Sequence, residues 1–444
     1  MPQPLLRIAL ISEHASPLAD LGTVDAGGQN TYVLQVARSL AEAGHEVDVF
    51  TRRDARHLEE CVEVQPGFRV FHITAGPPTF VPKEALLPWM DDFAKATLKL
   101  MRRGPAYDVV HANFFMSGLV GLAVKEQLGV PLVVTFHALG RVRREHQPEA
   151  DAFPPARMDI EQRLVREADR LIAECPQDRL DLMRLYGARD DRVSLVSCGV
   201  DFSELYPVPQ GAARRRLGVA DDEFVILQLG RLVPRKGIDN VIRSLAWLPL
   251  SVKVRLLIVG GETSEPDENA TPEIGRLRRV ALEMGVSERV SFLGRRARAE
   301  LRDCYAAANV FVTTPWYEPF GLTPLEAMAC GVPVVGSEVG GIAYTVQNGV
   351  TGYLVPPRDP LSLAQRLMQL HRQPNLARAM GLAGLQRARS LFTWPKVTAD
   401  LVEVYTRTRH PSFPSRRVLP VAVARPFAAA SARGLVPAPE QPPR

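Results

Sequence analysis

The chain of 444 residues reads as an α/β protein built from two doubly wound domains that face a cleft. Three observations predict this. Strand-like and helix-like patterns alternate twice over. The strand-like runs are short, apolar and β-branched, as parallel strands buried on both faces are. A proline-rich stretch, Tyr206-Pro207-Val208-Pro209-Gln210-Gly211, separates the two series and reads as a linker. In the first series, strands are expected at 6–11, 47–50, 68–73, 109–110, 132–136, 171–173 and 193–197, with helical periodicity over 28–43, 89–101 and 157–167. The second series runs strand 224–229, a helix from 238, strand 254–259, a helix around 274–284, strand 290–293, a helix from 299 and strand 310–313. Beyond Trp394, the spacing of Val397, Leu401, Val404 and Tyr405 predicts a last helix. From His410 onward, prolines, alanines and arginines crowd without periodicity, which predicts a disordered tail. Peripheral contact with an anionic membrane surface is the alternative role for that tail. The expected division is therefore 1–205, 206–393, a helix at 394–409 and a tail at 410–444.

Composition narrows the function classes. Apolar residues at 46% and charged residues at 23% are ordinary for a soluble globular protein. No apolar run is long enough to span a bilayer. Met1-Pro2-Gln3-Pro4 enters a strand directly, without the sequence of regions that marks a secretory signal. The five cysteines are dispersed without paired spacing, which predicts reduced thiols in a cytoplasmic protein. A net charge of +5 comes mostly from arginines spread over helix faces. No aromatic–basic interleaving accompanies it, so nucleic acid is not expected as a partner, and phosphorylated small molecules remain.

The chemistry concentrates in four segments. The most informative is Glu318-Pro319-Phe320-Gly321-Leu322-Thr323-Pro324-Leu325-Glu326, which reads as a turn opening a helix after the strand at 310–313. Glu318 and Glu326 can face one cleft, and the amides of Phe320, Gly321 and Leu322 are unpaired donors at a helix N-terminus, a seat for an anion. Carboxylates accept hydroxyl hydrogen bonds and helix amides accept phosphate, so the ligand should be both sugar and phosphate. The plainer reading is a solvated helix start. The second segment, Asp25-Ala26-Gly27-Gly28-Gln29-Asn30, opens the helix at 28–43; its glycines allow close approach of backbone to a phosphate, but the spacing is not a dinucleotide fingerprint. In the third, Gly230-Arg231-Leu232-Val233-Pro234-Arg235-Lys236-Gly237, the side chains of Arg231 and Lys236 can pinch a diphosphate from two sides, while Arg235 is expected on the surface. In the fourth, His137 ends the strand at 132–136 where it would face the cleft, and His111, at the end of the preceding strand, is expected behind it. No acidic pair or His/Asp cluster has metal-ligand spacing, so no metal and no cofactor are expected.

Together these segments resemble the retaining glycosyltransferases of family 4 (group 1), which have the GT-B fold and a signature of two glutamates separated by seven residues. The resemblance covers nearly everything from Leu6 to Tyr405. It implies that Glu318 contacts donor-sugar hydroxyls, that Glu326 contacts the ribose of the nucleotide, and that the amide of Gly28 touches the donor pyrophosphate. It makes Arg231 and Lys236 the diphosphate clamp and places His137 beside the donor sugar. The stretches around Ser12-Glu13-His14 and Asn30-Thr31-Tyr32 are most similar to sucrose-phosphate synthases and to the inositol-phosphate N-acetylglucosaminyltransferase of mycothiol synthesis. Lys83 and Arg157 match acceptor-phosphate positions of the latter, and Arg141 and Arg143 are further candidates for the acceptor side. Phe114 and Ala138 stand where that enzyme has a tyrosine and a threonine, and Gly140-Arg141-Val142-Arg143 is closer to the sucrose-phosphate synthase loop. The last helix is implied to cross back to the first domain. The expected reaction moves a sugar from a nucleotide sugar, UDP-linked, to a small hydroxyl acceptor such as a sugar phosphate.

Three other readings stay open. A nucleotide-sugar epimerase shares the architecture but needs an acid–base pair at the sugar. A dinucleotide oxidoreductase needs a third glycine and an acidic residue about twenty positions on. A transferase acting on a lipid or glycan would differ only on the acceptor side.

Overall fold

The computed structural model describes residues 5–19, 27–147 and 151–409. The tail at 410–444, and Asp25 and Ala26 of the first glycine loop, lie outside the described residues. Two sheets organise the rest. The first has eight strands: β1 (Arg7–Ile11), β2 (Glu46–Arg52), β3 (Cys61–Gln65), β4 (Phe68–Ile73), β5 (Val109–Asn113), β6 (Leu132–Thr135), β7 (Arg170–Ala173) and β8 (Val193–Leu195), in the order β3-β4-β2-β1-β5-β6-β7-β8. All its pairings are parallel except β3 with β4. The second has β9 (Phe224–Leu229), β10 (Val254–Val259), β11 (Val290–Gly294), β12 (Val310–Thr313), β13 (Val334–Ser337) and β14 (Gly352–Val355), all parallel in the order β11-β10-β9-β12-β13-β14.

Helices cover both sheets. They are α1 (Gly28–Glu42), α2 (Met90–Met101), α3 (Phe115–Leu128), α4 (Gly140–His146), α5 (Arg157–Glu167) and α6 (Pro176–Tyr186) on the first, and α7 (Gln210–Leu217), α8 (Ile238–Leu245), α9 (Pro272–Glu283), α10 (Arg298–Ala307), α11 (Leu322–Ala329), α12 (Gly340–Thr345), α13 (Pro360–Arg372) and α14 (Pro374–Leu391) on the second. Strands β5, β6, β9, β12 and β13 are buried end to end, which is why they carry near-continuous apolar runs instead of alternation.

The connection order fixes where a ligand can bind. In an open α/β sheet the crevice lies beyond the carboxyl ends of the strands where the winding reverses. That reversal falls between β1 and β5 in the first sheet and between β9 and β12 in the second. Arg231, Lys236 and Glu318 lie on loops that leave β9 and β12 at that reversal, and His137 lies on the loop that leaves β6, the neighbour of β5.

The final helix, α15 (Trp394–Arg409), packs against α1 and β5 of the first sheet. Its buried Tyr405 hydroxyl lies 2.7 Å from Nδ1 of His111, whose Nε2 is 2.8 Å from the Thr135 hydroxyl. His111 is therefore buried between Thr135 and α15, and burial, with His137 nearby, pushes its pKa down to about 3. Arg409 pairs with Asp108 at 2.9 Å to hold the end of the helix. Among the described residues no helix is long and apolar enough to cross a membrane, and all five cysteines are free thiols.

Candidate active site

Glu318 is delivered by the turn between β12 and α11, and two glycines make that turn buildable. A Cβ on Gly340, which has φ 46°, would stand 1.9 Å from the Glu318 carbonyl, and the amide of Gly341 donates to the carbonyls of Glu318 and Pro319 at 3.2 and 3.1 Å. The start of α12 thus cradles the glutamate turn. On the other side, the loop after β9 docks on the end of β12. The Thr314 hydroxyl donates to the Gly237 carbonyl at 2.9 Å, and the amide of Trp316 to the Arg235 carbonyl at 2.9 Å.

This docking brings Lys236 onto Glu318. The ammonium pairs with Oε2 of the carboxylate, and Glu318 is only 8% exposed. Arg235 stands 3.5 Å from the same oxygen and donates to the Tyr317 carbonyl at 3.2 Å. The sequence placed Arg235 on the surface; its side chain is instead 18% exposed and belongs to the cluster. The docked loop turns it inward with Lys236. Arg231 is more exposed but close enough to be felt by both Lys236 and Glu318.

Three cations, Lys236, Arg235 and Arg231, stand around the Glu318 carboxylate, and both partners of the ion pair are shifted. Burial opposes ionisation of Glu318, but Lys236, Arg235 and Arg231 pull its pKa down to about 2. Burial lowers Lys236 to about 8; Arg235 and Arg231 add to the shift and Glu318 only partly offsets it. Burial dominates the shift of Lys236, whereas the three cations outweigh burial at Glu318 and keep it ionised.

Two helix N-termini meet at this place. Gly28 opens α1 from the first domain and Leu322 opens α11 from the second. A Cβ on Gly28 would lie 3.6 Å from Cδ1 of Leu322. Gln29 anchors the start of α1 by donating to the Ser12 hydroxyl and the Asn113 carbonyl, each at 3.2 Å. Phe320 is buried, its ring edge-on to Phe392, while Gly321 caps α11 at φ 85°. The N-terminal ends of both helices, where the helix dipoles are positive, therefore come together next to the Glu318 turn.

His137 occupies a strained turn. Its φ is 56°, and the amide of Ala138 donates across it to the Phe136 carbonyl at 2.6 Å, closing a γ-turn. Its Nδ1 lies 3.0 Å from Oε1 of Glu174 and its Nε2 3.0 Å from Oδ1 of Asn113. Both ring nitrogens are thus held by strand ends of the first sheet, β5 and β7. Burial opposes ionisation of Glu174, but His137 and the Cys198 thiol hold it below the usual carboxylate range. Sequence reasoning passed over Glu174 and Asn113, although each is a polar residue at the carboxyl end of a buried strand.

Glu326 sits one helical turn inside α11, buried, with Oε1 2.6 Å from Nη1 of Arg298 and Oε2 2.8 Å from the Tyr305 hydroxyl.

The acceptor-side candidates separate. Arg157 is wholly buried. Its Nε donates to Glu161 at 2.7 Å, its Nη2 to the Ala138 carbonyl at 2.5 Å, and its guanidinium lies 5.0, 5.0 and 4.5 Å from the rings of Phe114, Phe115 and Phe153. Its Nη1 has no hydrogen-bond partner among the described residues. Arg143 pairs with Asp151 at 3.1 Å; burial, with Arg157 and Arg235 nearby, lowers its pKa despite Asp151 and Glu84. Lys83 pairs with Glu84 at 3.2 Å, so that pair stands by the same arginines. One turn beyond Arg143, His146 stacks on Tyr317 across the cleft at 5.3 Å and 5°. Arg141 departs from the group. It donates to the Leu185 carbonyl and lies 4.7 Å over the Tyr186 ring, at the far end of α6. Among the described residues no group of three or more His, Cys, Asp or Glu could hold a metal ion.

Comparison with known proteins places the whole fold in a family. Residues 210–387 match the family model for glycosyl transferases group 1, and residues 26–204 match that for glycosyltransferase family 4. The chain is 39% identical over 408 residues to D-inositol 3-phosphate glycosyltransferase of Thermobispora bispora, spanning 90% of this chain and 94% of that one. It is 40% identical over 405 residues to D-inositol 3-phosphate glycosyltransferase 1 of Catenulispora acidiphila, spanning 90% and 95%. Among solved structures, sucrose-phosphate synthase from Thermosynechococcus elongatus matches with a TM-score of 0.83 at 35% identity, over 90% of this chain and 98% of that one.

Proposed function

The chain belongs to the group 1, family 4 glycosyltransferases of GT-B fold, and from that premise we propose that it moves a hexosyl group from a UDP-sugar to a hydroxyl of a small phosphorylated acceptor, with retention at the anomeric carbon. One observation carries this reading: a buried lysine–glutamate pair, flanked by two arginines, stands at the winding reversal of the second sheet, where the N-termini of α1 and α11 converge. A diphosphate fits the cluster of cations and the two helix N-termini. A sugar attached to it would reach Glu318.

In the reaction the bond from the anomeric carbon to the diphosphate oxygen breaks while the acceptor oxygen bonds to that carbon. The acceptor proton passes to the departing diphosphate oxygen. Lys236, Arg231 and the helix N-termini stabilise the charge that develops there, so the reaction needs no metal. Glu318, held ionised, orients sugar hydroxyls, and His137, fixed by Glu174 and Asn113, shapes the first-domain wall. For the acceptor, the support is Arg157, which is buried with one nitrogen lacking a hydrogen-bond partner among the described residues, together with Arg143 and Lys83. Relatives of both kinds carry phosphate in the names of what they use or make.

The test separates donor chemistry from donor binding. Glu318→Gln should lower turnover about 100-fold or more without weakening UDP binding, because the carboxylate competes with the diphosphate for Lys236. Arg231→Ala combined with Lys236→Ala should weaken UDP binding by about tenfold or more per lost charge-assisted hydrogen bond. Loss of UDP binding in the glutamate variant, or normal binding in the double variant, overturns the assignment.

A further inference from the structure

Arg298 begins α10, where the positive end of the helix dipole disfavours a cation. Two carboxylates offset that cost. Nη1 is 2.6 Å from Oε1 of Glu326, and Nε is 2.7 Å from Oε2 of Glu204. The planar fork of the guanidinium lets one side chain serve both acids on different edges. The second oxygen of Glu326 is fixed by Tyr305, from the same helix. Glu204 belongs to the segment that joins the two sheets, after β8 and before α7. One turn along α10, Arg302 covers the ring of Tyr206 from that same segment at 4.5 Å. One face of α10 therefore grips the interdomain segment while its first residue grips the glutamate at the donor site.

We propose that Arg298 is a positioning residue for donor recognition: it sets the carboxylate of Glu326 for the ribose hydroxyls and ties that setting to the interdomain segment through Glu204. The inference rests on the reading of Glu326 as the ribose contact. A carboxylate held by one donor on each oxygen keeps its remaining lone pairs in fixed directions, which a free carboxylate would not. The plain alternative is that Arg298 only staples the joining segment to α10. Such a staple would affect stability and would leave ribose recognition alone.

The experiment is a binding cycle on the full-length protein, comparing UDP with 2′,3′-dideoxy-UDP by calorimetry. The wild type should prefer UDP by about tenfold or more, since hydrogen bonds to a charged group are lost with the hydroxyls. Glu326→Ala should abolish the preference. Arg298→Gln should shrink it to within about threefold, Arg298→Lys should restore part of it, and Glu204→Gln should give an intermediate value. If Glu326→Ala keeps the full preference, the ribose reading itself is wrong and the inference falls with it. If Glu326→Ala loses the preference but Arg298→Gln keeps it, the ribose reading stands and Arg298 is a staple. Should Arg298→Gln not fold, Glu204→Gln decides, because an unchanged preference in that variant overturns the link to the joining segment.

Discussion

Lys236 offers the most direct handle on the electrostatics of the site, because its pKa of about 8 falls where binding can be measured. A lysine must be protonated to hold a diphosphate, and a bound diphosphate raises the lysine's pKa further. Above about pH 7 the terminal phosphate of UDP is itself almost fully ionised, so it does not confuse the measurement. UDP affinity should therefore fall as pH rises through about 8, with protons taken up on binding at the higher pH. Lys236→Arg, which stays charged, should flatten that dependence. A pH-independent affinity in the wild type between pH 7 and 9.5, measured calorimetrically in buffers of different ionisation enthalpy, would show that Lys236 does not meet the diphosphate. At this scale Glu318, Lys236 and His137 were legible because each follows a strand that the apolar pattern reveals. Arg235, Glu174 and Arg298 were not, since what brings each into the site is a loop docking or an ion pair with residues 37 to 94 positions away.

The elements were legible in proportion to their burial. Parallel strands such as β9, β10 and β12 stand out as apolar runs and start and stop where the sequence says. The antiparallel edge strand β3 was missed because it is largely outside the core and carries Glu63 and Gln65 among its apolar positions. Strands β13 and β14 and helices α13 and α14 follow the glutamate turn and were passed over, although Val334-Val335 reads as a short buried strand once the winding is known. The segment read as a linker ends in a helix, α7, already at Gln210. Helix α15 shows what an element can do beyond its own domain. Its buried Tyr405 reaches His111, so the hydrogen bond ties residues 394–409 to the first sheet. Tyr405→Phe should cost about 1–3 kcal/mol, because it strands a buried imidazole nitrogen. An unchanged urea-unfolding profile in that variant would mean the contact contributes nothing to holding the helix down.

At the scale of the molecule, the site exists only because two sheets present their winding reversals to each other. Neither half holds a complete set of groups. The second domain supplies Lys236, Arg231, Glu318 and Glu326; the first supplies the start of α1, His137 and the arginines beside Phe153. The interdomain stack of His146 on Tyr317, and the Cys175 thiol 3.3 Å from the Pro319 carbonyl, hold the two sides in register. That division of labour predicts a division of kinetic effects, with second-domain substitutions acting on the donor and first-domain ones on the acceptor. It was only half legible in the sequence: the donor motifs are short and contiguous, whereas Lys83, Arg143 and Arg157 are scattered over separate loops and helices and converge only in three dimensions.

The most direct test of the whole account offers a panel of UDP-sugars with sugar phosphates, inositol phosphates and their dephosphorylated forms, following UDP release and product anomeric configuration by NMR. The account predicts UDP release only with a phosphorylated acceptor, a product that keeps the donor's anomeric configuration, activity that survives excess chelator, and a Michaelis constant for the acceptor, not the donor, that rises in Lys83→Ala and Arg157→Ala. Each of those two substitutions should cost about tenfold or more if its cation meets the phosphate. An inverted product, an intact but epimerised UDP-sugar, or an unphosphorylated acceptor used equally well by the wild type and both variants would contradict it.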